Sequence, residues 1–473
     1  MEPNNEPLSR PTERNIRMKK MLSALTVVTA SALALTGCAP GAASTTAPAT
    51  SAPATSAAPQ NITLWVAGGD TPAALRDYLK TTYNAKTGGT LTIEEQAWGD
   101  LVTKLTTALP DANNTPDVVE IGNTQSPTFT NVGAFADISD MYTELGGDKL
   151  LQSFVEVGKV DDKFFTLPYY FGSRYAFYRK DIYKAAGVEV PKTLDEFNAT
   201  VKTIAEKNPK DIKNFSGFFI GGQDWRNGIS WIFANGGDLA KSEGGKWTST
   251  LSDPNTVKGL TQLQEIQKYA SNAPSTAKDQ SPWLYINDAD VIKDDADNPD
   301  KVTAKTSLAA ATIMAPGWAH WSIGDMVKKD GKEVREWNDE KFGVFALPGN
   351  DGKPAPVFAG GSNIGISATS KNQEGARELM RIIFSSEYQQ MLGKNGLGPA
   401  NSDYTSSLGD DQFAKALIES ASNSKLTPAA PGWATVEASG KLEEFFAKVA
   451  DGGDITALAA EYDALLTPML NGQ

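Results

Sequence analysis

The hydrophobic and polar positions change period several times along the chain, and each change predicts an element. Ile62-Thr63-Leu64-Trp65-Val66 is a short β-rich run that ends at Gly68-Gly69. Thr71 followed by Pro72 predicts a helix N-cap with proline at the first helical position. Leu75, Tyr78, Leu79 and Thr82 then recur at helical spacing. Gly88-Gly89 predicts the stop, and Thr90 to Glu94 a second strand. Leu101, Leu105 and Leu109 mark a second helix, and Pro116-Asp117-Val118-Val119-Glu120-Ile121-Gly122 a third, buried strand. Strands alternating with helices predict βαβ units and a largely parallel sheet. Ligands of such sheets sit beyond the carboxyl ends of the strands. Those ends are Gly68-Gly69-Asp70 and Gly122-Asn123-Thr124-Gln125.

A second α/β pattern follows the aromatic stretch Thr166-Leu167-Pro168-Tyr169-Tyr170-Phe171-Gly172-Ser173-Arg174-Tyr175. Thr193-Leu194-Asp195-Glu196 reads as a capping box that opens a helix with Phe197, Val201 and Ile204 inward. Asp253-Pro254 opens another, with Val257, Leu260, Leu263 and Ile266 on one face. Phe342 to Phe345 and Val357 to Ile366 read as strands. A helix follows with Ala376, Leu379, Met380 and Ile383 inward. The C-terminal part is helical, with Leu442, Phe445, Phe446 and Val449, then Leu458, Tyr462, Leu465 and Met469. Asp288 to Asp300 is dense in aspartate but lacks the glycine and terminal glutamate of a calcium loop. It reads as a solvated loop, with no metal and no cofactor expected.

The first 60 residues follow none of these periods. Met18-Lys19-Lys20 is a positive start, and Met21 to Leu35 an uncharged apolar run too short for a comfortable membrane span. Leu35-Thr36-Gly37-Cys38 then resembles the bacterial lipoprotein box, which implies cleavage before Cys38 and a lipid on its thiol. Residues 39–60 are almost entirely Ala, Ser, Thr, Pro and Gly, a composition that cannot bury a core and reads as a tether. The residues before Met18 read as an overextended start site or a dispensable leader.

Composition narrows the function. The formal charge is −13, and the excised segment is net positive, so the mature surface is more acidic still. That argues against nucleic acid or anionic lipid as a partner, leaving the lipid anchor as the expected contact with the membrane. A single cysteine and a single histidine, His320, leave no disulfide. They exclude most zinc sites and every His-dependent catalytic scheme that lacks His320.

Three aromatic clusters interrupt the core pattern: Gln223-Asp224-Trp225-Arg226-Asn227 with Trp231, Pro316-Gly317-Trp318-Ala319-His320-Trp321, and Pro431-Gly432-Trp433. A tryptophan offers a flat apolar face that complements the C–H face of a sugar ring. Asp, Asn, Gln and Arg present two adjacent groups each and can hold paired hydroxyls. A single tryptophan is more often core; three clusters beside glycines favour a sugar site.

From about Asn61 onward the chain resembles the extracellular solute-binding proteins of carbohydrate ABC importers, the maltodextrin-binding type. Thr115 to Val119 with Gly122-Asn123, Leu167-Pro168 through Tyr178 to Asp181, and Ile232 to Asp238 carry the likeness. So do Ala315 to Trp318, Gly360-Gly361-Ser362, Gly398 to Ala400 and Pro431 to Trp433, in the same order. The resemblance implies an α/β, two-lobed periplasmic-binding-protein type II fold with a hinge between lobes. It implies lobes built from 61–167 with 362–410 and from 168–361 with 411–473, after a signal segment 1–37 and a tether 38–60. By position, Trp318 and Trp433 match ring-stacking residues. Gly69, Asp70, Asn123 and Gln125 match polar contacts of the first lobe, and Asp224, Trp225 and Arg226 a wall of the second; Gly361 and Ser362 belong to the site as well. Gly172 stands where the family has an acidic residue. His320 has no family role and reads as a satisfied structural or cleft-rim residue.

The resulting expectation is a monomeric, non-enzymatic, lipid-anchored protein at the outer face of the cytoplasmic membrane. It delivers a di- or oligosaccharide to permease subunits. The rival class, a surface glycosidase or lyase, needs two carboxylates about one bond, and Asp117, Glu120 and Asp224 are available for it. A third class, a surface adhesin or sensor, needs no closing cleft.

Overall fold

Ile62, Leu64 and Val66 are buried along the strand Ile62–Ala67, and Thr63 and Trp65 between them are half-buried, so one face of this strand lies deep in the core. It is the second strand from one edge of an eight-stranded sheet in a computed structural model that describes residues 59–278, 283–287, 309–329 and 331–473. The cleavage box, Cys38, nearly all of the tether and the stretch Asp288 to Asp300 lie outside the described residues. Gln60 already belongs to the fold: its backbone carbonyl accepts from the Tyr83 hydroxyl at 2.9 Å.

Ile62–Ala67 pairs in parallel with Leu91–Gln96 on one side and with Val118–Gly122 on the other. The helix Ala73–Thr87 connects the first two, burying Leu75, Leu79 and Tyr83, and ends where Gly88 takes φ +69° and donates to Asn84. Thr71 does not cap that helix. Pro72 holds the N-cap position, and the Thr71 hydroxyl instead meets the Tyr169 hydroxyl at 3.1 Å. Thr193 and Asp253 do cap their helices, accepting from the backbone N–H of Glu196 and Asn255.

Beyond these three strands the largely parallel expectation fails. The 14-residue strand Thr166–Arg179 runs antiparallel to four partners, the shortest being Gly398–Pro399 against Tyr170 and Phe171. Residues Thr166 to Ser173 pair with Ala359–Ile366, which also pairs antiparallel with Val118–Gly122. Arg174 to Tyr178 pair with Thr312–Pro316, and Ala176 to Arg179 with Phe342–Phe345. A chain that must cross and return lays its crossing strands side by side in opposite directions. Gly172 sits opposite Gly360 in that ladder, a pair without side chains at the middle of the crossing.

Two large hydrophobic cores lie at either end of the long strand. One gathers Leu64, Leu79, Leu167, Tyr169, Ile364, Leu379 and Tyr388. The other gathers Phe197, Trp231, Leu260, Leu263, Phe446 and Tyr462. Phe171, Tyr175, Phe177 and Ile313 form a third cluster about the crossing itself. Each fully buried large apolar side chain contributes about 1.5–3 kcal/mol, so each end carries its own folding stability.

Candidate ligand-binding site

The carboxyl ends of Ile62–Ala67 and Val118–Gly122 lie side by side, and the chain leaves both through short turns. Gly68 takes φ +55°, and a Cβ there would strike the Trp98 ring at 2.8 Å. Arg76 holds the turn by donating to the carbonyls of Thr71 and Gly68, at 2.7 and 3.2 Å. Asp70 therefore projects from a braced loop. Its carboxylate accepts from the Trp98 indole N–H at 3.1 Å and from the Tyr170 hydroxyl at 3.2 Å. The residue is open to solvent on one side, yet the packing about its carboxylate raises its pKa, partly offset by those two hydrogen bonds. Gly69 is exposed, with open space where a side chain would stand.

Beneath Asp70 lies a second carboxyl. Glu120 is fully buried, and accepts from the Ala67 N–H at 2.9 Å and from the Tyr170 hydroxyl at 3.0 Å. Tyr170 has one proton for two carboxylates, and the Ser362 hydroxyl donates to its oxygen at 3.3 Å. Burial pushes the Glu120 pKa up to about 7, against the hydrogen bonds that lower it. Ser362 is thus a buried support under the site, not an open contact. Asn123 is also internal: its amide donates to the Ala359 carbonyl at 2.8 Å and its N–H to Gly361 at 3.3 Å. Gly361 takes φ +139°, with the Tyr170 carbonyl 2.5 Å from where a Cβ would be. Gln125 differs from these, because its buried Oε1 has no hydrogen-bond partner among the described residues.

The opposite wall is built on the helix Trp225–Ala234. Asp224 caps it, accepting from the Asn227 N–H at 3.1 Å and from its amide at 2.6 Å. Trp225 and Trp433 are both 1% exposed and meet edge to face at 6.2 Å within the core. The expectation that they offer open stacking faces is corrected here: the Trp225 indole donates to Glu443 at 3.1 Å, and Phe358 closes against it. The Trp433 indole N–H is buried without an acceptor. The Arg226 guanidinium lies over the Trp225 ring at 4.4 Å and donates to Glu437 Oε1 at 3.2 Å.

Glu437 also reaches across. Its Oε2 accepts from the Thr124 hydroxyl at 3.1 Å, and the Thr128 hydroxyl meets the Pro431 carbonyl at 3.5 Å. The two walls are in contact in this structure. Burial raises the Glu437 pKa, opposed chiefly by Arg226.

Trp318 belongs to neither wall. It stands on the turn Gly317–Ser322 after the strand Thr312–Pro316, whose last residue pairs with Arg174 at the middle of the crossing strand. Trp318 is 56% exposed, with Trp283 edge-on at 4.9 Å. His320 Nδ1 lies 2.7 Å from the Gly317 carbonyl, and the ring stacks on Phe413; burial lowers its pKa. No group of three or more metal-ligating side chains occurs among the described residues.

Sequence reasoning missed Trp98, Tyr170 and Glu437 as site residues, and placed Thr124 at a strand end without assigning it a contact. Trp98 carries the same signal as the other clusters, a tryptophan beside glycine directly after a strand. Glu437 lies four residues after Trp433, on the same helix face.

Two lobes joined by crossing strands, with rings, carboxylates and orphaned polar atoms gathered where the strands cross, define a hinged ligand-binding protein. The chain belongs to the bacterial extracellular solute-binding proteins, whose family model matches residues 68–390. DasA of Streptomyces coelicolor, a diacetylchitobiose binding protein, is 31% identical over 384 residues, 80% of this chain and 82% of its own. The sugar-binding protein MalE of Xanthomonas citri shares the fold with a TM-score of 0.70 at 18% identity, over 87% of this chain and 97% of its own. The GacH receptor of Streptomyces glaucescens, solved unliganded and with acarbose, does so with a TM-score of 0.65 at 19% identity, over 87% and 98%.

Proposed function

We propose that this chain is the substrate-binding lipoprotein of a carbohydrate ABC importer. It captures a di- or oligosaccharide between its lobes and hands it to the permease. The observation that carries the reading is the meeting of two polar walls at the crossing strand. Asp70, Trp98 and Gln125 stand on one, Arg226 and Glu437 on the other; the exposed Trp318 ring stands on the turn after Thr312–Pro316. Asn123, Asp224, Gly361 and Ser362 position those groups. Trp225 and Trp433 back the second wall. The lobes are 61–167 with 362–410 and 168–361 with 411–473, and closure bends the chain where Gly172 faces Gly360.

The protein is proposed to be a monomer without catalytic activity. Supporting this, Glu120 is sealed under Tyr170. Asp117 accepts from the Thr63 N–H and from Ser370, and Asp224 caps a helix. None of the three is placed to flank a glycosidic bond. Segment 1–37 is proposed to be cleaved and Cys38 acylated, so that residues 38–60 hold the lobes close to the permease at high effective concentration. The homology to DasA makes diacetylchitobiose one candidate ligand and the shared fold makes maltodextrins another.

The test is a thermal-shift screen of the mature chain against diacetylchitobiose and maltose to maltotetraose, followed by calorimetry on each stabilising sugar. A ligand that binds only the native state raises the melting temperature. Saccharide binding without cleavage products supports the reading. Turnover of the bound sugar overturns it, and so does a panel in which nothing binds.

A further inference from the structure

The Glu437 carboxylate is nearly enclosed, 13% exposed, and is the one described side chain that accepts from Arg226 on its own lobe and from Thr124 on the other. Two orphaned polar atoms flank that bridge. Gln125, next to Thr124, has a buried Oε1 without a donor. Trp433, one helical turn before Glu437 and 1% exposed, has an indole N–H without an acceptor. Buried polar atoms are rarely left unmade in a native protein unless something else completes them. A hollow of about 410 Å³ opens beside Glu437 on its own side of the cleft, with Glu437, Glu443, Glu444, Asp451, Lys278 and Lys448 among its lining residues. Lys448 is already paired with Glu444 and Glu461. Arg226 is committed to Glu437 and to the Trp225 face. On the facing wall stands another carboxylate, the exposed Asp70.

We infer that Glu437 is a specificity-determining ligand contact, accepting from a hydroxyl or N–H of the bound saccharide in place of Thr124. It confines the ligand to neutral or amine-bearing sugars and rejects those that carry a carboxylate or phosphate. This rests on the saccharide-cleft reading above. The physical ground is that a carboxylate with its cation already engaged offers an anion only repulsion, whereas it strengthens any donor hydrogen bond it receives. Thr124 marks the place of that donor: it brings one O–H to Oε2 across the cleft, as a sugar hydroxyl would. Gln125 Oε1 asks for a second donor, as does Glu443 Oε2, and the Trp433 N–H asks for an acceptor.

The experiment uses the neutral saccharide that gives the largest thermal shift, and the same sugar with its primary hydroxyl oxidised to a carboxylate. Affinities are measured by calorimetry for the wild type, Glu437→Gln and Glu437→Ala. The wild type is expected to bind the oxidised sugar at least about tenfold more weakly, the scale of one like-charge contact in a partly buried site. Glu437→Gln keeps the side chain's shape, loses its charge and frees Arg226, so it should narrow or reverse that ratio. A folded Glu437→Gln protein with an unchanged ratio overturns the role of Glu437 while leaving the saccharide cleft standing. An oxidised sugar that binds the wild type as well as the neutral one overturns the inference without any variant. Failure of every saccharide to bind removes the cleft reading and this inference with it.

Discussion

Glu120→Gln tests the polar floor of the site. In the wild type one Tyr170 proton stands between two carboxylates, 3.0 Å from Glu120 and 3.2 Å from Asp70. It cannot satisfy both at once, so Glu120 is best served when it carries a proton of its own and gives it to the Tyr170 oxygen. Tyr170 can then donate to Asp70. This agrees with the pKa of about 7 that burial imposes on Glu120, against an ordinary value of 4.5. The sign follows from proton counting. Between pH 4.5 and 7 the folded protein binds more protons at this position than the unfolded chain, so stability falls as pH rises through that window. The loss is complete above pH 7. At about 1.4 kcal/mol per pH unit, the charged form costs the fold about 3 kcal/mol at pH 8.5. Glutamine is uncharged at every pH. Its amide can donate to Tyr170 while its carbonyl accepts from the Ala67 N–H, which reproduces the protonated acid. The variant should therefore match the wild type near pH 4.5 and exceed it by about 2–3 kcal/mol at pH 8.5. Urea unfolding of the ligand-free mature chain, at half-unit steps from pH 4.5 to 8.5, gives the difference curve. A flat difference, or a variant less stable than the wild type at pH 8.5, refutes the shared-proton account.

The two expected stacking residues should now behave differently. Trp318→Ala is expected to weaken saccharide binding by about 1–3 kcal/mol with an unchanged melting temperature, as loss of an exposed stacking face does. Trp433→Ala should destabilise the fold by about 3–5 kcal/mol, because it empties a core position. Calorimetry and thermal melts on the same samples separate the two. Trp98→Phe keeps a ring over Gly68 but removes the N–H that Asp70 accepts, and should weaken binding by about 1 kcal/mol by calorimetry. Gly361→Ala places a Cβ against the Tyr170 carbonyl at φ +139°. It should cost at least about 1–3 kcal/mol in urea unfolding.

How much of this was readable in advance depended on whether a feature is local. Strands Ile62–Ala67 and Val118–Gly122 and the stop at Gly88 were legible because hydrophobic period and glycine chemistry act over a few residues. The ends of those strands, and so Asp70 and Gln125, followed from the same pattern. Thr71 looked like a cap and is not, since a hydroxyl that can reach Tyr169 from a distance of 98 residues takes that bond instead. Strand direction beyond Val118–Gly122 was not legible from period at all. The crossing of Thr166–Arg179 and Ala359–Ile366 is a pairing of segments about 190 residues apart, and only the family resemblance pointed to it. Trp225, Trp433 and Trp318 have the same neighbours in sequence, small or polar residues and glycine, and opposite exposures in the fold. A tryptophan's local sequence does not record whether another ring, here Trp433 against Trp225, will cover its face.

That difference in cover bears on where affinity resides. In the contacting walls Arg226, Glu437 and Thr124 already satisfy one another. A ligand that replaces Thr124 at Glu437 exchanges one hydrogen bond for another and gains little there beyond selectivity. Gln125 Oε1 and the Trp433 N–H are unpaired even with the walls together. An unmade buried hydrogen bond costs about 1–3 kcal/mol, so completing each recovers that amount with nothing given up. On the proposed reading, the strength of binding should follow the ligand's reach to Gln125, while its chemical class is decided at Glu437. Changes at Gln125 should then shift the affinity of every bound saccharide together, and changes at Glu437 the ratio between them.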